Sequence, residues 1–234
     1  MSSVNINKAR WEPRLVTRKK DTGTLSPRSA GTYHHGDLKA ALVAAAGEML
    51  EREGPESISF RAVARAAGVS PTAPYNHFPS KEDLLATLAG AGFRELENCQ
   101  VATVAATQSG QERIVSLGLA YLRFAETHPQ LYRLMFGAGV ADWCAHPEVA
   151  EAKRASFRAI RDALAEQLSG VGDPAEEAVD TAAIAAWALA HGLSMLLIDG
   201  SLGAAKDDPS HGKSLIMRIL TQFAAGLTPK PSTR

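Results

Sequence analysis

The 234-residue sequence is poor in cysteine, in aromatic side chains and in long uncharged apolar runs. Its two cysteines, Cys99 and Cys144, are too few for a disulfide framework. No N-terminal apolar run is typical of a signal peptide, and no run of about 18 uncharged apolar residues predicts a membrane-spanning helix. We therefore expect a cytoplasmic protein that has no membrane partner.

Runs of β-branched residues are also rare, whereas alanine is abundant and apolar residues make up 45% of the chain. Alanine favours helices and β-branched side chains favour strands, so this composition predicts an all-α fold. The apolar fraction suffices for a buried core. The length allows one large domain, or a small domain joined to a larger one.

The net charge is zero, but its distribution is uneven, since residues 1–36 carry seven Lys/Arg against two acidic residues. Residues 1–31 are rich in Lys, Arg, Ser, Thr and Pro and show no sustained period, which predicts a flexible basic tail. Such a tail is typical of proteins that bind a polyanion, but also of solvated disordered extensions. Charge alone does not separate the two interpretations.

Helical spacing of apolar residues begins at Asp37 and continues through most of the chain. Glycine, proline and capping residues give the approximate bounds of the segments. The predicted helices are 37–53, 60–67, 71–77, 81–105, 111–127, 130–136, 147–168, 174–199 and 211–226. A polar loop at 200–210 and a tail at 229–234 complete the chain.

Residues 60–77 have the layout of a helix-turn-helix. Ala64 is small enough for two helices to approach, and Gly68 supplies a positive φ at the turn without steric cost. Ser70 is the predicted N-cap of the second helix, and Pro71 its first residue, where a missing N–H costs little. The pattern predicts a two-turn recognition helix over 71–77, in which Pro74 is the least favourable residue.

Three segments carry a wider resemblance: YHHGDLKAALVAAA (33–46), SFRAVARAAGVSPTAPYNHFPSKEDLL (59–85) and WALAHG (187–192). Together they resemble the TetR/AcrR family of transcriptional regulators, especially the branch with a C-terminal Trp…His-Gly signature. The resemblance implies an all-α homodimer without enzymatic activity or cofactor. It also implies a helix-turn-helix domain at 32–80 and an effector-binding and dimerisation domain at 81–228. In this family, ligand binding commonly releases operator DNA.

The resemblance places the helix that starts at Pro71 in the major groove of double-stranded operator DNA. Thr72, Ala73 and Asn76 would then face the base edges. Tyr33, His34 and His35 precede the first helix and would reach the DNA backbone or minor groove. The remaining DNA-binding set is Ser59, Arg61, Ser70, Tyr75, His77 and Lys81, most of them as phosphate contacts. For Arg61 and His77 an ordinary surface role stays open, and Phe78 is expected in the core.

Apolar and aromatic side chains of 86–234 predict a pocket between helices for a small apolar or amphipathic effector. The candidates are Leu117, Tyr121, Phe124, Met135, Phe136, Trp143, Phe157, Trp187, His191 and Met195. Each of them is equally compatible with a core position. Trp187 and His191 are four residues apart and therefore neighbours on one helix, but whether they line the pocket or the core stays open.

Small residues on the helix at 174–199 and an apolar stripe on the last helix predict a dimer interface. The candidates are Ala183, Ala186, Ala190, Leu215, Ile219 and Phe223. Two such helix pairs would form a two-fold four-helix bundle, although packing within one subunit explains the same stripes. A two-fold dimer predicts a palindromic operator with half-sites about 34 Å apart or somewhat more.

Other functions have weaker support in the sequence. His34 with His35, and Cys144 with His146, supply too few ligands for a structural zinc site. Ser, His and Asp are present, but no nucleophile motif orders them. We expect a sequence-specific DNA-binding regulator, most simply a repressor, and neither an enzyme nor a metalloprotein. The alternatives are a small all-α enzyme or ligand carrier, and a helical adaptor that binds protein partners.

Overall fold

The computed structural model describes residues 35–108, 110–137, 146–169, 174–202 and 209–227. Within helices, the side chains of 35–37 and 209–211 are not described. Both predicted tails, together with Tyr33, His34, Trp143 and Cys144, lie outside the described residues. All regular secondary structure in the described ranges is helical, which confirms the predicted all-α class.

The helices follow one another along the chain with short connections. They are α1 (His35–Glu53), α2 (Phe60–Ala66), α3 (Lys81–Ala106), α4 (Gln111–Thr127), α5 (Pro129–Phe136), α6 (Pro147–Leu168), α7 (Glu176–Ile198) and α8 (Pro209–Gly226). Two short 3₁₀ turns, Pro55–Ser57 and Ala73–Asn76, lie on either side of α2. The helix bounds agree with prediction to within a few residues, except in the segment after α2.

The N-terminal unit is closed by local capping and by a small apolar core. The Ser59 hydroxyl accepts a hydrogen bond from the Ala62 amide at 3.3 Å and caps α2. Gly68 ends this helix with φ of +69°, a conformation that L side chains rarely adopt. Ile58, Val63 and Phe78 are buried in the core formed with α1.

Helix α3 connects this unit to the rest of the molecule, and its 26 residues span about 39 Å. The Ser80 hydroxyl caps it, accepting from the Asp83 amide at 3.2 Å and donating to the Asp83 carboxylate at 2.7 Å. Helix α3 packs along α6 and against α4 and α5. A Cβ at Gly92 would lie 2.6 Å from the Met135 sulfur, so glycine permits the close approach of α3 and α5.

The core is continuous across the predicted domain boundary. One cluster of buried residues extends from α1 to α8, and a second joins α4, α6, α7 and α8. Helix α4 packs against both α7 and α8. The N-terminal unit therefore rests on helices that also belong to the second domain, and the boundary at residue 80 stays a prediction.

Contrary to expectation, helix α7 contains a long apolar run. By length and composition alone it could cross a membrane, since its most apolar 18 residues have a mean hydropathy of 1.7. Core helices of soluble proteins can be equally long and apolar. Here the helix packs on α4 and α6, and about a third of these 18 residues is buried.

Candidate DNA-binding surface and effector cavity

The segment after Gly68 forms a shorter recognition element than predicted. The Ala73 amide donates to the Ser70 carbonyl at 3.0 Å and the Tyr75 amide to the Thr72 carbonyl at 3.2 Å, which are i→i+3 bonds. The 3₁₀ turn begins at Ala73, so the predicted helix start at Pro71 is wrong. The Ser70 hydroxyl does not cap this turn but lies 3.1 Å from the Thr72 hydroxyl.

The prolines explain this geometry. Pro74 has no amide hydrogen and cannot make an α-helical bond back to Ser70, which favours the tighter i→i+3 pattern. Pro74 is the second residue of the turn, where no amide donor is required, and its carbonyl accepts from the His77 and Phe78 amides. The turn therefore begins directly before Pro74 and accommodates it at little cost.

Burial divides the side chains of this turn into two groups. Ala73 is only 8% exposed and packs inward, so the expectation that it faces base edges does not fit the structure. Thr72, Tyr75 and Asn76 are exposed. Of the three predicted base-reading residues, Thr72 and Asn76 are therefore the two whose side chains are accessible at the surface.

Two aromatic residues hold the turn in place. Tyr75 is 62% exposed, and its ring meets Phe60 edge-on with centroids 4.9 Å apart. Phe78 is buried as expected, and the Lys39 ammonium lies 5.5 Å from the centre of its ring. The contact between Tyr75 and Phe60 brings the turn beside the start of α2.

The other expected DNA contacts lie around the turn Ala73–Asn76 and the start of α2. Ser59, Arg61, Ser70 and Pro71 are exposed, whereas His77 and Lys81 are half-buried. His35 is the first residue of α1, and its side chain lies outside the described part. The described residues thus bring together the starts of α2 and α3 and the turn between them, which carry most of the predicted surface.

A cavity of about 310 Å³ lies among α3 to α8. Five of the predicted pocket residues are on its wall: Leu117, Tyr121, Phe136, Phe157 and Trp187. The wall also contains two buried polar residues, Gln100 and Ser156, and two exposed cations, Lys153 and Arg154. Such a lining of mostly apolar groups with few polar atoms is typical of small-molecule sites.

Four other predicted pocket residues are absent from the wall. Phe124 and Met135 are buried in the core, where Phe124 packs on His128 and Met135 packs on Gly92 of α3. Met195 is half-buried against the same core. His191 lies behind the wall, with its ring 4.9 Å from Phe136. Their helices are apolar on more than one side, so spacing alone did not distinguish core from cavity.

A hydrogen-bonded chain of aromatic residues supports one side of the cavity. The Trp187 indole donates to the Tyr121 hydroxyl at 3.3 Å, the Tyr121 and Tyr132 hydroxyls are 3.1 Å apart, and Tyr132 lies 2.6 Å from His191 Nδ1. Burial raises the pKa of Tyr121 and raises that of Tyr132 to about 12. Burial also lowers the pKa of His191. The whole chain is therefore neutral at pH 7 and rigidifies the wall.

The predicted dimer residues of α7 face the interior of the subunit and not its surface. Ala183, Ala186 and Ala190 are buried within the protomer, and the last two line the cavity. On α8, Leu215, Ile219 and Phe223 are half-buried, with Phe223 on the cavity wall. The three alanines pack inside one subunit, and the composition of the dimer interface stays a prediction.

The exposed side of α7 is nevertheless apolar. Its exposed residues include Ile184, Ala185, Ala188, Gly192 and Leu196, at helical spacing. Ile184 is 57% exposed and also lines the cavity, and Leu196 is 43% exposed. A contiguous exposed apolar patch of this kind is typical of an interaction site. We call these five residues the α7 outer face.

Gln100 is one of the wall residues that sequence reasoning missed. It follows Phe93 and Leu96 on the buried stripe of α3, and it is only 3% exposed. Its Oε1 atom has no hydrogen-bond partner among the described residues. A polar residue at an apolar position of the helical pattern was the available signal.

Helix α5 connects the cavity to the DNA-binding unit. The Glu51 carboxylate on α1 accepts hydrogen bonds from the Gln130 amide at 3.2 Å and the Leu131 amide at 2.9 Å. Burial raises the pKa of Glu51, and these two bonds act in the opposite direction. Glu51 therefore caps the start of α5, while Phe136 at the other end of that helix lines the cavity.

Comparison with known proteins gives two matches to models of one family. The model described as "Bacterial regulatory proteins, tetR family" matches residues 42–88. The model described as "Tetracyclin repressor-like, C-terminal domain" matches residues 114–220. The first covers most of α1, all of α2, the turn and the start of α3, and the second covers most of α4 through most of α8.

Individual proteins give the same result. The chain is 27% identical over 199 residues to the HTH-type transcriptional activator FasR of Mycolicibacterium smegmatis, covering 85% of this chain and 86% of FasR. It is 32% identical over 97 residues to the uncharacterised HTH-type transcriptional regulator YobS of Bacillus subtilis. That match spans 42% of this chain and half the length of YobS.

A solved structure of a protein of unknown function from Rhodococcus sp. RHA1 superposes with a TM-score of 0.71 at 33% identity. The match covers 84% of this chain and 98% of that one. Together with the helix-turn-helix geometry and the all-α second domain, these matches show that the chain is a DNA-binding transcriptional regulator that belongs to the TetR family.

Proposed function

We propose that this regulator is a homodimeric repressor that releases a palindromic operator when a small apolar or amphipathic molecule fills the cavity. One observation carries the proposal: helix α5 contributes Phe136 to the cavity wall and is capped by Glu51 of the DNA-binding unit. A ligand that displaces α5 would therefore also displace α1. We further assign the chain to the Trp–His–Gly branch, in which Trp187 and His191 support the wall.

On the DNA side, Thr72 and Asn76 read bases, and backbone contacts give most of the affinity. We assign those backbone contacts to Ser59, Arg61, Ser70, Pro71, Tyr75, His77 and Lys81. The basic residues of 1–31 add phosphate contacts that do not depend on sequence. Most described members of this set are exposed, and only His77 and Lys81 are half-buried. This exposure supports the assignment, as does their grouping around the turn and the start of α2.

The cavity volume limits the effector. Ligand sites commonly measure about 300–1,000 Å³, so the cavity of about 310 Å³ fits a compact molecule. The effector must bind the arrangement that cannot hold DNA more tightly than the one that can, since equal affinity would shift nothing.

The α7 outer face, which includes Ile184 and Leu196, is proposed as the subunit interface in place of the buried alanines. Pairing two copies of this helix around a two-fold axis would bury an apolar surface that a cytoplasmic monomer would leave in water. The apolar character that makes α7 resemble a membrane span has the same explanation.

Sedimentation of three variants tests the interface. Ile184→Glu and Leu196→Glu should each shift the dimer towards monomer, because a carboxylate would be buried against its symmetry mate. Val101→Glu is the matched control, since Val101 is also 57% exposed but lies on α3. An unchanged dimer in both α7 variants would exclude this interface.

Fluorescence anisotropy with the DNA upstream of the gene tests the regulator. We expect binding at low salt, protection of a palindrome, and release by the effector. A promoter–reporter fusion should rise when the regulator is deleted; a fall would indicate an activator, the activity in the name of FasR. Absence of DNA binding at low salt would favour the adaptor or the carrier.

A further inference from the structure

We propose that the cavity selects effectors that carry a hydroxyl group, and that this group hydrogen-bonds to the side-chain amide of Gln100. The inference rests on the proposed function, because it specifies the chemistry of the proposed effector. Gln100 lines the cavity from α3, between the apolar stripe of that helix and the wall formed by α4.

The first argument is the state of the Gln100 amide. The side chain is 3% exposed and its Oε1 atom has no partner in the described structure. A buried carbonyl oxygen without a donor loses its hydration and gains nothing in return. Buried polar groups in proteins are nearly always paired, so a glutamine kept in this position indicates a partner that the chain itself does not supply.

The second argument is that the buried polar groups on the same wall are already engaged. The Ser156 hydroxyl donates to the Lys153 carbonyl at 2.9 Å, and the Trp187 indole donates to Tyr121 at 3.3 Å. The wall also includes Phe93, Ile114 and Leu117, which carry no polar side-chain atom. Since no described group donates to the Gln100 oxygen, we take the donor from the molecule that enters the cavity.

A hydroxyl group is the simplest small polar group that fits this amide. It both donates and accepts, and the amide of glutamine offers an acceptor on one side and donors on the other. Rotation about the last side-chain bond turns either of these towards the cavity. A purely apolar ligand would leave the amide unpaired and would have to exclude any water that solvates it.

Calorimetric titration of the full-length protein with two matched pairs of probes tests the proposal. The pairs are 1-naphthol with naphthalene, and 4-propylphenol with propylbenzene; in each, the compounds differ by one hydroxyl. We expect the hydroxylated member to bind the unmodified protein at least tenfold more tightly. In Gln100→Leu this preference should fall to about twofold or less. Gln167→Leu, which makes the same change on α6 away from the cavity lining, should retain it.

Thermal unfolding of the same variants separates a ligand-binding role from a structural one. Leucine fills a similar volume and removes an unpaired oxygen, so Gln100→Leu should unfold at the same temperature as the unmodified protein or higher. A lower unfolding temperature would show that Gln100 supports the fold and would overturn the proposal.

The titrations also separate this inference from the proposed function. Equal binding of both members of each pair to the unmodified protein overturns the hydroxyl preference and leaves the effector cavity intact. Failure of all four probes to bind overturns the effector cavity and the hydroxyl preference together. Preferential binding of the hydroxylated probes without release of operator DNA supports the site chemistry, and contradicts only the proposed coupling to DNA.

Discussion

Tyr75 is 62% exposed and is the most exposed large hydrophobic side chain in the described part of the molecule. Its ring is held by the edge-on contact with Phe60, which fixes the side chain in place at the surface. A rigid aromatic side chain with a hydroxyl beside the recognition turn is suited to a phosphate contact, since little entropy is lost when it binds.

Tyr75→Phe should weaken DNA binding without weakening the fold. The substitution keeps the ring contact with Phe60 and removes only the hydroxyl, whose hydrogen bond is worth about 0.5–1.5 kcal/mol. We therefore expect a loss of affinity of about two- to tenfold for every duplex sequence, measured by fluorescence anisotropy. An unfolding temperature equal to that of the unmodified protein is the control. Unchanged affinity would remove Tyr75 from the DNA-binding surface.

At the scale of elements, the contact between α1 and α5 links the DNA-binding unit to the cavity, in addition to the continuous helix α3. Glu51 supplies acceptors to two amides at the start of α5, where helix amides otherwise lack partners. The other end of α5 carries Phe136 on the cavity wall. We therefore expect a shift of this eight-residue helix to move residues both at the cavity wall and in α1.

Glu51→Ala should lower the free energy of unfolding by about 1–2 kcal/mol, because it removes the acceptor that caps α5. It should also reduce the change in DNA affinity that the effector causes, while leaving effector affinity in the absence of DNA within about threefold. Urea denaturation and anisotropy with and without effector measure the two effects. Glu53→Ala is the control, since Glu53 is exposed at the end of the same helix. Full coupling in Glu51→Ala would show that the signal takes another route.

Elements whose ends depend on neighbouring residues were predictable from the sequence. Ser59 and Ser80 cap α2 and α3 as expected, and Gly68 ends α2 with a positive φ. The segment after Gly68 was harder, because two prolines and one serine are compatible both with an α-helix from Pro71 and with a 3₁₀ turn from Ala73. Only the packing of Ala73 and Pro74 into the core decides between them.

The orientation of helices was not predictable for a different reason. Helix α7 is apolar on both sides, so its sequence does not show that Ala186 is buried at the cavity while Leu196 is exposed at the surface. The same ambiguity placed Phe124 and Met135 in the pocket, although they belong to the core. Gln100 interrupts an apolar stripe, which makes it visible in the sequence once the inner side of α3 is known.

At the scale of the whole molecule, two histidines make stability depend on pH. Burial lowers the pKa of both His128 and His191 below the ordinary value of 6.5. The unfolded chain therefore binds protons at these sites at a higher pH than the folded chain does. Stability should be fully present above about pH 6.5 and should fall as the pH drops towards the lowered values.

Urea denaturation at pH 7.5 and pH 5.5 measures this dependence, and we expect a lower midpoint at pH 5.5. His191→Gln should reduce the difference between the two midpoints, since glutamine does not titrate. A midpoint that is equal at both values, or higher at pH 5.5, would contradict the assignment of His128 and His191 as buried neutral groups.

Thr72 and Asn76, at the two ends of the recognition turn, are proposed to read bases while the surrounding side chains contact the DNA backbone. The most direct measurement is DNA affinity over a range of salt concentrations, for operator and unrelated duplexes, in Asn76→Ala and Lys81→Ala. Asn76→Ala should lower the preference for the operator by about 1–3 kcal/mol and leave the salt slope unchanged. Lys81→Ala should weaken both duplexes alike and reduce the slope by about one. If both variants retain the preference and the slope of the unmodified protein, this turn is not the recognition element.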